Sequence, residues 1–224
     1  MTTLNNKQDR DRNTGNVTSL FEVKMLECVR QDVILFQDVN FELQAGELLQ
    51  IDGVNGSGKS SLLRILAGLM QANAGHIKWR GQEISKCRYE YQREISYIGH
   101  LNGVKDALTA LENLQAMKTL AGSKSDMALS DVLIQIELAG MDDVPLNRMS
   151  AGQKRRIALT RLLVTKTRIW LLDEPFTSLD SSGKSVIEQL IVEHCDRGGI
   201  IIFSTHQPIE IEGCSIKHIH LGKK

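Results

Sequence analysis

Residues 53–60 read GVNGSGKS and match the G-x-x-x-x-G-K-[ST] pattern of loops that hold nucleotide phosphates. The strand-like segment Leu48 to Asp52 precedes the loop, and a helical pattern from Ser60 to Leu69 begins within it. In this setting the glycines let successive N–H groups face one anion, and the helix start adds partial positive charge. A glycine turn that binds nothing is the alternative, which the register of strand, loop and helix disfavours. The predicted ATP contacts here are Gly53, Val54, Asn55, Gly56, Ser57, Gly58, Lys59, Ser60 and Ser61, with Lys59 on the β- and γ-phosphates and the Ser60 hydroxyl on Mg²⁺.

A second apolar run, Ile169 to Leu172, is followed directly by Asp173 and Glu174. Ligands of open α/β sheets bind at the carboxyl ends of the strands, so both acids are expected near the phosphates. Asp173 could hold Mg²⁺ through water, and Glu174 could polarise a water for attack on the γ-phosphate. Paired acids after a strand are commonly capping or surface residues, but the loop upstream favours a hydrolysis site.

His206 follows a third apolar run, GIIIFS, within the segment STHQP. At that strand end it would share a sheet edge with Lys59 and Glu174, contact the γ-phosphate and hold the attacking water. A surface or core histidine is the alternative. The predicted catalytic residues are therefore Lys59, Glu174 and His206, while the other histidines show no ligand spacing.

Composition narrows the class of protein. The 224 residues carry 27 basic and 27 acidic side chains, and this zero net charge argues against a general nucleic-acid binder. Four cysteines without a CxxC pair argue against a disulfide framework and fit a reducing compartment. No stretch approaches the roughly 18 apolar residues of a membrane helix. The polar residues 1–19 lack the apolar segment of a secretory signal and are expected to form a disordered tail.

Alternating strands and helices predict one α/β domain with a mainly parallel sheet over residues 20–224. An antiparallel pair is expected within 21–41, with a turn at residues 30–32, and a helical insertion over about 101–165. Thr109 and Glu112 form a capping-box pattern for a helix that runs toward Gly122. Another helix is expected over 126–138, with its inward residues being Met127, Val132, Leu133 and Ile136.

The segment MSAGQ at residues 149–153, which we call the signature segment, precedes three basic residues. Ser150 and Gln153 again fit a capping box, so a helix should begin there with exposed N–H groups suited to an anion. A well-capped helix with a solvated basic turn is the alternative.

MSAGQ resembles the LSGGQ signature of ABC-type ATPases, and the motif order over residues 21–221 fits that family. The resemblance implies a P-loop NTPase fold with an N-terminal antiparallel β subdomain and an α-helical insertion subdomain. It also implies a homodimer in which two domains pair head to tail. Ser150 and Gly152, within the binding segment that includes Ala151 and Gln153, would contact the γ-phosphate held by the other copy. Asp180 would lie in the loop linking the two sites.

A narrower resemblance rests on YIGHLNGVKDALTALENL, MSAGQKRRIALTRL, IWLLDEPFTSLD and FSTHQP. These stretches look like the ATP-binding subunits of cytochrome c maturation haem exporters. The resemblance implies integral membrane subunits as partners, at the cytoplasmic face of the bacterial inner membrane. ATP hydrolysis would drive haem export or release of a haem-loaded chaperone. No Cys-Pro haem motif is present, so haem binding by this chain is not expected.

The sequence departs from the wider family in two places. Gly99-His100 stands where most members have a Mg²⁺-linked glutamine, and an imidazole is a poor ligand for Mg²⁺. Arg30 falls near the position of an adenine-stacking aromatic residue, where a guanidinium can also stack on the base.

Other classes of function have different sequence requirements. A soluble conformational clamp of the DNA-repair kind would need a long coiled coil before the signature segment, and no sustained heptads occur there. An iron–sulfur assembly component remains an alternative. A scaffold without turnover would need the loss of Lys59 or Glu174, and both are present.

Overall fold

The computed structural model describes residues 20–122, 127–206 and 209–222, which form two β-sheets and the helices packed on them. A 3₁₀ turn covers Leu146–Arg148. In chain order the strands are β1 (Phe21–Arg30), β2 (Val33–Leu43), β3 (Leu48–Asp52), β4 (Ala74–Trp79), β5 (Gln82–Glu83), β6 (Ile95–Ile98), β7 (Ile169–Asp173), β8 (Ile200–Ser204) and β9 (Ile216–His220). The helices are α1 (Lys59–Leu66), α2 (Arg88–Gln92), α3 (Ala110–Leu120), α4 (Leu129–Gln135), α5 (Ala151–Leu159), α6 (Arg161–Thr165) and α7 (Ser181–Asp196).

The central sheet is parallel, in the order β6-β7-β8-β3-β9. Every residue of β7 and β8 is buried, as their continuous apolar sequences predict for strands covered on both faces. Asp173 pairs in register with Ser204, so the carboxyl ends of β7 and β8 lie side by side. This edge positions the predicted acids next to the segment that carries His206.

The second sheet is antiparallel, in the order β2-β1-β4-β5. The predicted hairpin is confirmed: β1 and β2 are joined at Gln31 and Asp32, whose φ angles of 49° and 60° suit the tight turns of hairpins. The sheet also contains β4 and β5, which follow α1 in the chain and were not expected from the sequence. The antiparallel sheet is therefore not confined to the N-terminal segment.

The helices α3 to α6 share an apolar core of their own. α3 begins at Thr109, which forms the predicted capping box with Glu112. The predicted second helix is shorter than expected, because Ala128 is extended and α4 begins only at Leu129. Met127 therefore lies before the helix and is 38% exposed, so its predicted inward position is wrong; Asp126 lies outside the described residues. The core of these helices includes Ala110, Leu114, Val132, Leu133, Ile136, Leu146 and Ile157.

No helix within these described ranges combines the length and apolar character needed to cross a bilayer.

His194 in α7 is a buried core histidine. Its ring stacks on Trp170 with centroids 3.7 Å apart, and Nε2 lies 3.1 Å from the Arg168 carbonyl oxygen. Burial lowers the pKa of His194 to about 4, because the charged imidazolium would lose its hydration there. The neutral ring, with its proton on Nε2, therefore belongs to the folded state.

This buried ring should make stability depend on pH. An unfolded histidine binds a proton below about pH 6.5, whereas folded His194 does so only near pH 4, so stability is lost as the pH falls between those values. We expect the unfolding free energy, measured with urea, to drop by about 2 kcal/mol from pH 7 to pH 5 because of this residue. His194→Gln should remove that part of the pH dependence, whereas His100→Gln, at an exposed histidine, should keep it. An unchanged pH dependence in His194→Gln would contradict the assignment.

Candidate nucleotide-binding and hydrolysis site

The phosphate loop, residues 53–60, connects the end of β3 to α1, as predicted. Gly53 and Gly58 have φ angles of 145° and 98°, a conformation that L side chains rarely adopt. A Cβ at Gly53 would collide with the Leu221 carbonyl oxygen, and one at Gly58 would lie 2.9 Å from Cδ1 of Phe36. Only glycine fits at these two positions, while the tip of the loop, Val54 to Gly56, is exposed.

In the part of the chain that the structure describes, the Lys59 side chain is buried without an acidic partner. Its Nζ donates to the Gly53 carbonyl oxygen at 2.6 Å and to that of Val54 at 3.2 Å, and it lies 3.4 Å from Nδ1 of His206. All three acceptors are neutral, and none of the ion pairs found within residues 20–122, 127–206 and 209–222 includes Lys59. A buried ammonium with only neutral acceptors fits an anionic ligand such as the phosphates of ATP.

Glu174, His206 and Lys59 form a continuous chain of polar contacts. Nε2 of His206 lies 3.0 Å from Oε1 of Glu174. Because an ammonium can only donate, Nδ1 of His206 accepts from Lys59, which places the proton of a neutral ring on Nε2. Oε1 of Glu174 is buried and makes no hydrogen bond within the described part of the chain, so its contact with Nε2 is a close approach of two polar atoms. The structure thus brings together the three residues that the sequence predicted to be catalytic. Their roles in hydrolysis stay a prediction.

Glu174 also has a strained backbone, with a φ of 50°. Such a conformation is uncommon for a non-glycine residue and requires support from its surroundings. The Glu174 amide donates to Oγ of Ser204 at 3.0 Å, and that hydroxyl donates to Oδ1 of Asp173 at 2.7 Å. Ser204 therefore orders both acids. Sequence reasoning missed it, although it is the last residue of β8 at the same sheet edge.

Asp173 and Ser60 are the residues that fit a Mg²⁺ ion. Asp173 is buried at the carboxyl end of β7, and Ser60 lies in the first turn of α1 after the phosphate loop. One carboxylate and one hydroxyl are hard oxygen donors, and Mg²⁺ completes such sites with water and phosphate oxygens. This donor set supports the predicted metal site, which stays a prediction.

The signature segment forms a second group of residues, at the start of α5. Ser150 and Gln153 make the predicted capping box: the Gln153 amide donates to Oγ of Ser150, and the Ser150 amide donates to Oε1 of Gln153. Ser150 and Ala151 are exposed. A Cβ at Gly152 would lie 2.7 Å from the Ser178 carbonyl oxygen, so this small residue lets the two backbones approach.

Asp180 caps α7 and contacts Arg156 of α5. Its Oδ1 accepts from the Gly183 amide at 2.9 Å, and its carboxylate lies 3.6 Å from the Arg156 guanidinium. The Gly183 amide, assisted by Arg156, holds the pKa of the Asp180 carboxyl below its usual range. The carboxylate is therefore charged and exposed at physiological pH.

The basic residues after the signature segment are not a solvated turn. Arg155 is 4% exposed and Arg156 is 9% exposed, which makes that alternative wrong for both. Nη2 of Arg155 donates to the carbonyl oxygens of Asp173 and Glu174 at 2.8 and 2.9 Å. Burial lowers the pKa of the guanidinium, but the carboxylates of Asp173 and Glu174 oppose that effect, and the group stays charged.

The predicted site residues therefore fall into two groups. Lys59, Asp173, Glu174 and His206 meet at the sheet edge, while the signature segment and Asp180 meet at the starts of α5 and α7. Arg155 connects the groups through the backbone of β7. Its charge lies in a polar run whose sequence gives no sign of burial.

Arg30 has acceptors from its own chain. Its Nη1 donates to the Val29 carbonyl oxygen at 2.7 Å, and Nη2 donates to that of Gln71 at 3.0 Å. These contacts fix the guanidinium at the end of β1. A stacking role toward adenine stays a prediction.

In this structure a glycine-rich loop connects the parallel strand β3 to a helix, and paired acids follow β7, which is separated from β3 by β8. This arrangement defines a nucleoside-triphosphate-binding α/β protein. Comparison with known proteins narrows this class. The family model described as ABC transporter matches residues 36–177. The chain is 41% identical over 204 residues to the cytochrome c biogenesis ATP-binding export protein CcmA of Aliivibrio fischeri, which covers 91% of this chain and 100% of that protein. The corresponding protein of Vibrio parahaemolyticus is 43% identical over the same shares.

A solved structure of an ATP binding subunit of an ABC transporter is similar to this chain with a TM-score of 0.74 at 26% identity, over 84% of this chain and 80% of the other. The chain therefore belongs to the ABC transporter family of ATPases, among the cytochrome c biogenesis ATP-binding export proteins. The fold expected from the resemblance is confirmed.

Proposed function

We propose that this chain is the ATP-hydrolysing subunit of a membrane complex for cytochrome c biogenesis, and that it uses ATP to drive haem export or release of a haem-loaded chaperone. The observation that carries the proposal is the contact chain Lys59–His206–Glu174 at the edge of the parallel sheet. It places a cation for phosphate, a histidine and a carboxylate within reach of one ligand. The similarity to the export proteins supplies the biological setting.

In the proposed reaction the phosphate loop and Lys59 bind the β- and γ-phosphates of ATP. Mg²⁺, held by Ser60 and Asp173, would supply charge neutralisation at the phosphate oxygens. Glu174 accepts the proton of the attacking water, and His206 keeps the Glu174 carboxylate and the water in position.

The proposal includes a head-to-tail homodimer. Ser150 and Ala151 are exposed at the N-terminus of a capped helix, and the charged Asp180 contacts Arg156 of the same helix. Because the contacts of Lys59 lie in a separate group, the signature segment is available to the γ-phosphate of a second copy. Ser150, Ala151, Gly152 and Gln153 would close the site of that copy.

The membrane path is proposed to come from partner subunits, which would hold this chain at the cytoplasmic face of the bacterial inner membrane. Neither haem nor nucleic acid is proposed as a ligand of this chain. Purification from detergent-solubilised membranes tests the setting: integral membrane proteins of cytochrome c maturation should be recovered with the tagged chain. Recovery of soluble iron–sulfur assembly proteins in their place would contradict the proposal.

His100, which stands at the position of the usual glutamine, is proposed to act in coupling to the membrane subunits. It is exposed and is the second residue after β6. His100→Ala should leave the ATPase rate of the isolated chain within about threefold, a barrier change below roughly 1 kcal/mol, and should impair release of the haem-loaded chaperone in cells.

His206→Ala is the comparison for His100→Ala, since loss of the Glu174 partner should slow hydrolysis itself. If hydrolysis by His100→Ala fell more than about a hundredfold together with its affinity for Mg²⁺, His100 would belong to the metal site.

A further inference from the structure

Arg155 makes four hydrogen bonds from one buried guanidinium. Nη2 donates to the carbonyl oxygens of Asp173 and Glu174, and Nη1 donates to the Gly99 carbonyl oxygen at 3.0 Å and to Oδ1 of Asn102 at 3.2 Å. One nitrogen thus donates to the end of β7, and the other donates to loop 99–102, the segment after β6. Two parts of the chain more than 70 positions apart meet on one rigid group.

This arrangement fixes the residue that should activate water. The Glu174 amide is held by Ser204, its carbonyl oxygen is held by Arg155, and its φ of 50° requires such support. The orientation of the Glu174 carboxylate therefore depends on both contacts. A small change in the Arg155 position would change the distance from that carboxylate to an attacking water.

Loop 99–102 is accessible from outside. Leu101 is 85% exposed and His100 is exposed, whereas Gly99 and Asn102 on the same loop contact the buried Arg155. A guanidinium is planar and its donors keep a fixed geometry, so it transmits a displacement that a flexible ammonium would absorb. A protein that contacts the outer side of this loop therefore reaches Glu174 through a single side chain.

We propose that Arg155 is a positioning residue that ties Glu174 to loop 99–102, so that movement of this loop by a membrane subunit changes the rate of ATP hydrolysis. This inference rests on the proposed function, in which Glu174 activates water and membrane subunits bind the chain.

The first test uses Arg155→Lys in the full isolated chain. Lysine keeps the charge, but its single nitrogen cannot serve both pairs of acceptors. We expect kcat for ATP to fall about tenfold or more with KM within about twofold, because binding is intact and the base is misplaced. Amide hydrogen exchange should rise together in peptides covering 99–102 and 173–180.

Arg161→Lys is the matched control. Arg161 is also partly buried and donates to the Tyr97 carbonyl oxygen of β6, but it bonds neither Asp173 nor Glu174 among its contacts in the described chain. Its kcat should stay within about twofold of the parent. Two results would overturn the inference. One is a kcat for Arg155→Lys within twofold of the parent. The other is an unchanged kcat with equal losses in kcat/KM and in protein stability.

The second test changes the loop and leaves Arg155 in place. In the complex with its membrane subunits, Asn102→Ala should lose at least half of the difference in turnover between complex and isolated chain. Asn102→Asp, which keeps an acceptor for Nη1, should retain that difference. If Asn102→Ala keeps the parental difference in turnover, the inference is overturned. This result is decisive even if Arg155→Lys does not fold. If the unaltered chain hydrolyses no ATP, or its turnover is the same with and without membrane subunits, the proposed function fails instead.

Discussion

Glu174→Gln is expected to lower ATP turnover by about a hundred- to ten-thousand-fold while ATP binding persists. The amide keeps the size of the side chain and can still contact Nε2 of His206, but it cannot accept a proton from water. With hydrolysis blocked, ATP should stay between two copies. The variant should therefore elute as a dimer in gel filtration with ATP and Mg²⁺, and as a monomer without nucleotide.

Glu90→Gln provides the control, because Glu90 is exposed on α2 and none of the predicted site residues lies on that helix. Its turnover should stay within about twofold of the parent. A Glu174→Gln protein that hydrolyses ATP at the parental rate would contradict Glu174 as the base. One that binds ATP and remains monomeric would contradict the head-to-tail pairing.

Lys59→Ala is expected to have the second large effect. The buried ammonium donates to two carbonyl oxygens of the phosphate loop, and charge accumulates at the predicted phosphates during transfer. Its removal should lower kcat by at least about a hundredfold, roughly 3 kcal/mol in the barrier, and should also weaken nucleotide binding. Single-turnover hydrolysis and equilibrium binding of a fluorescent ATP analogue measure the two effects separately.

Lys86→Ala, at an exposed lysine, should change neither quantity. An unchanged turnover number in Lys59→Ala would remove the phosphate-loop assignment itself, and with it the proposed function.

The parts of the site that the sequence predicted are those determined by local patterns. The strand β3, the loop after it, and both capping boxes depend on residues within a few positions of one another, and the structure has all of them. The continuous apolar runs of β7 and β8 similarly predict buried parallel strands. Short-range sequence was sufficient because the physical causes are themselves short-range.

The parts that could not be predicted depend on distant residues. Arg155 is buried only because carbonyl groups of β7 and loop 99–102 surround it, and no pattern near residue 155 contains that information. The strand β4 pairs with β1 across more than 40 positions, and β5 in turn pairs with β4. Met127 fits the helical periodicity of α4. Because Ala128 is extended, however, the helix begins only at Leu129, and Met127 lies outside it. Tertiary contacts therefore determine the burial of Arg155 and the pairing of β4, which local preference does not contain.

The order of strands in the parallel sheet has a consequence for synthesis of the protein. β3, which carries the phosphate loop, pairs only with β8 and β9 in the part of the chain the structure describes, so both of its neighbours come from residues 200–220. A growing chain therefore contains the complete phosphate-binding sequence long before that strand has a partner. During translation the antiparallel sheet and the helices α3 to α6 can assemble first, since all their strands and helices have already been made. A nascent chain stopped before β8 would contain the whole phosphate-loop sequence on a strand that lacks both of its neighbours.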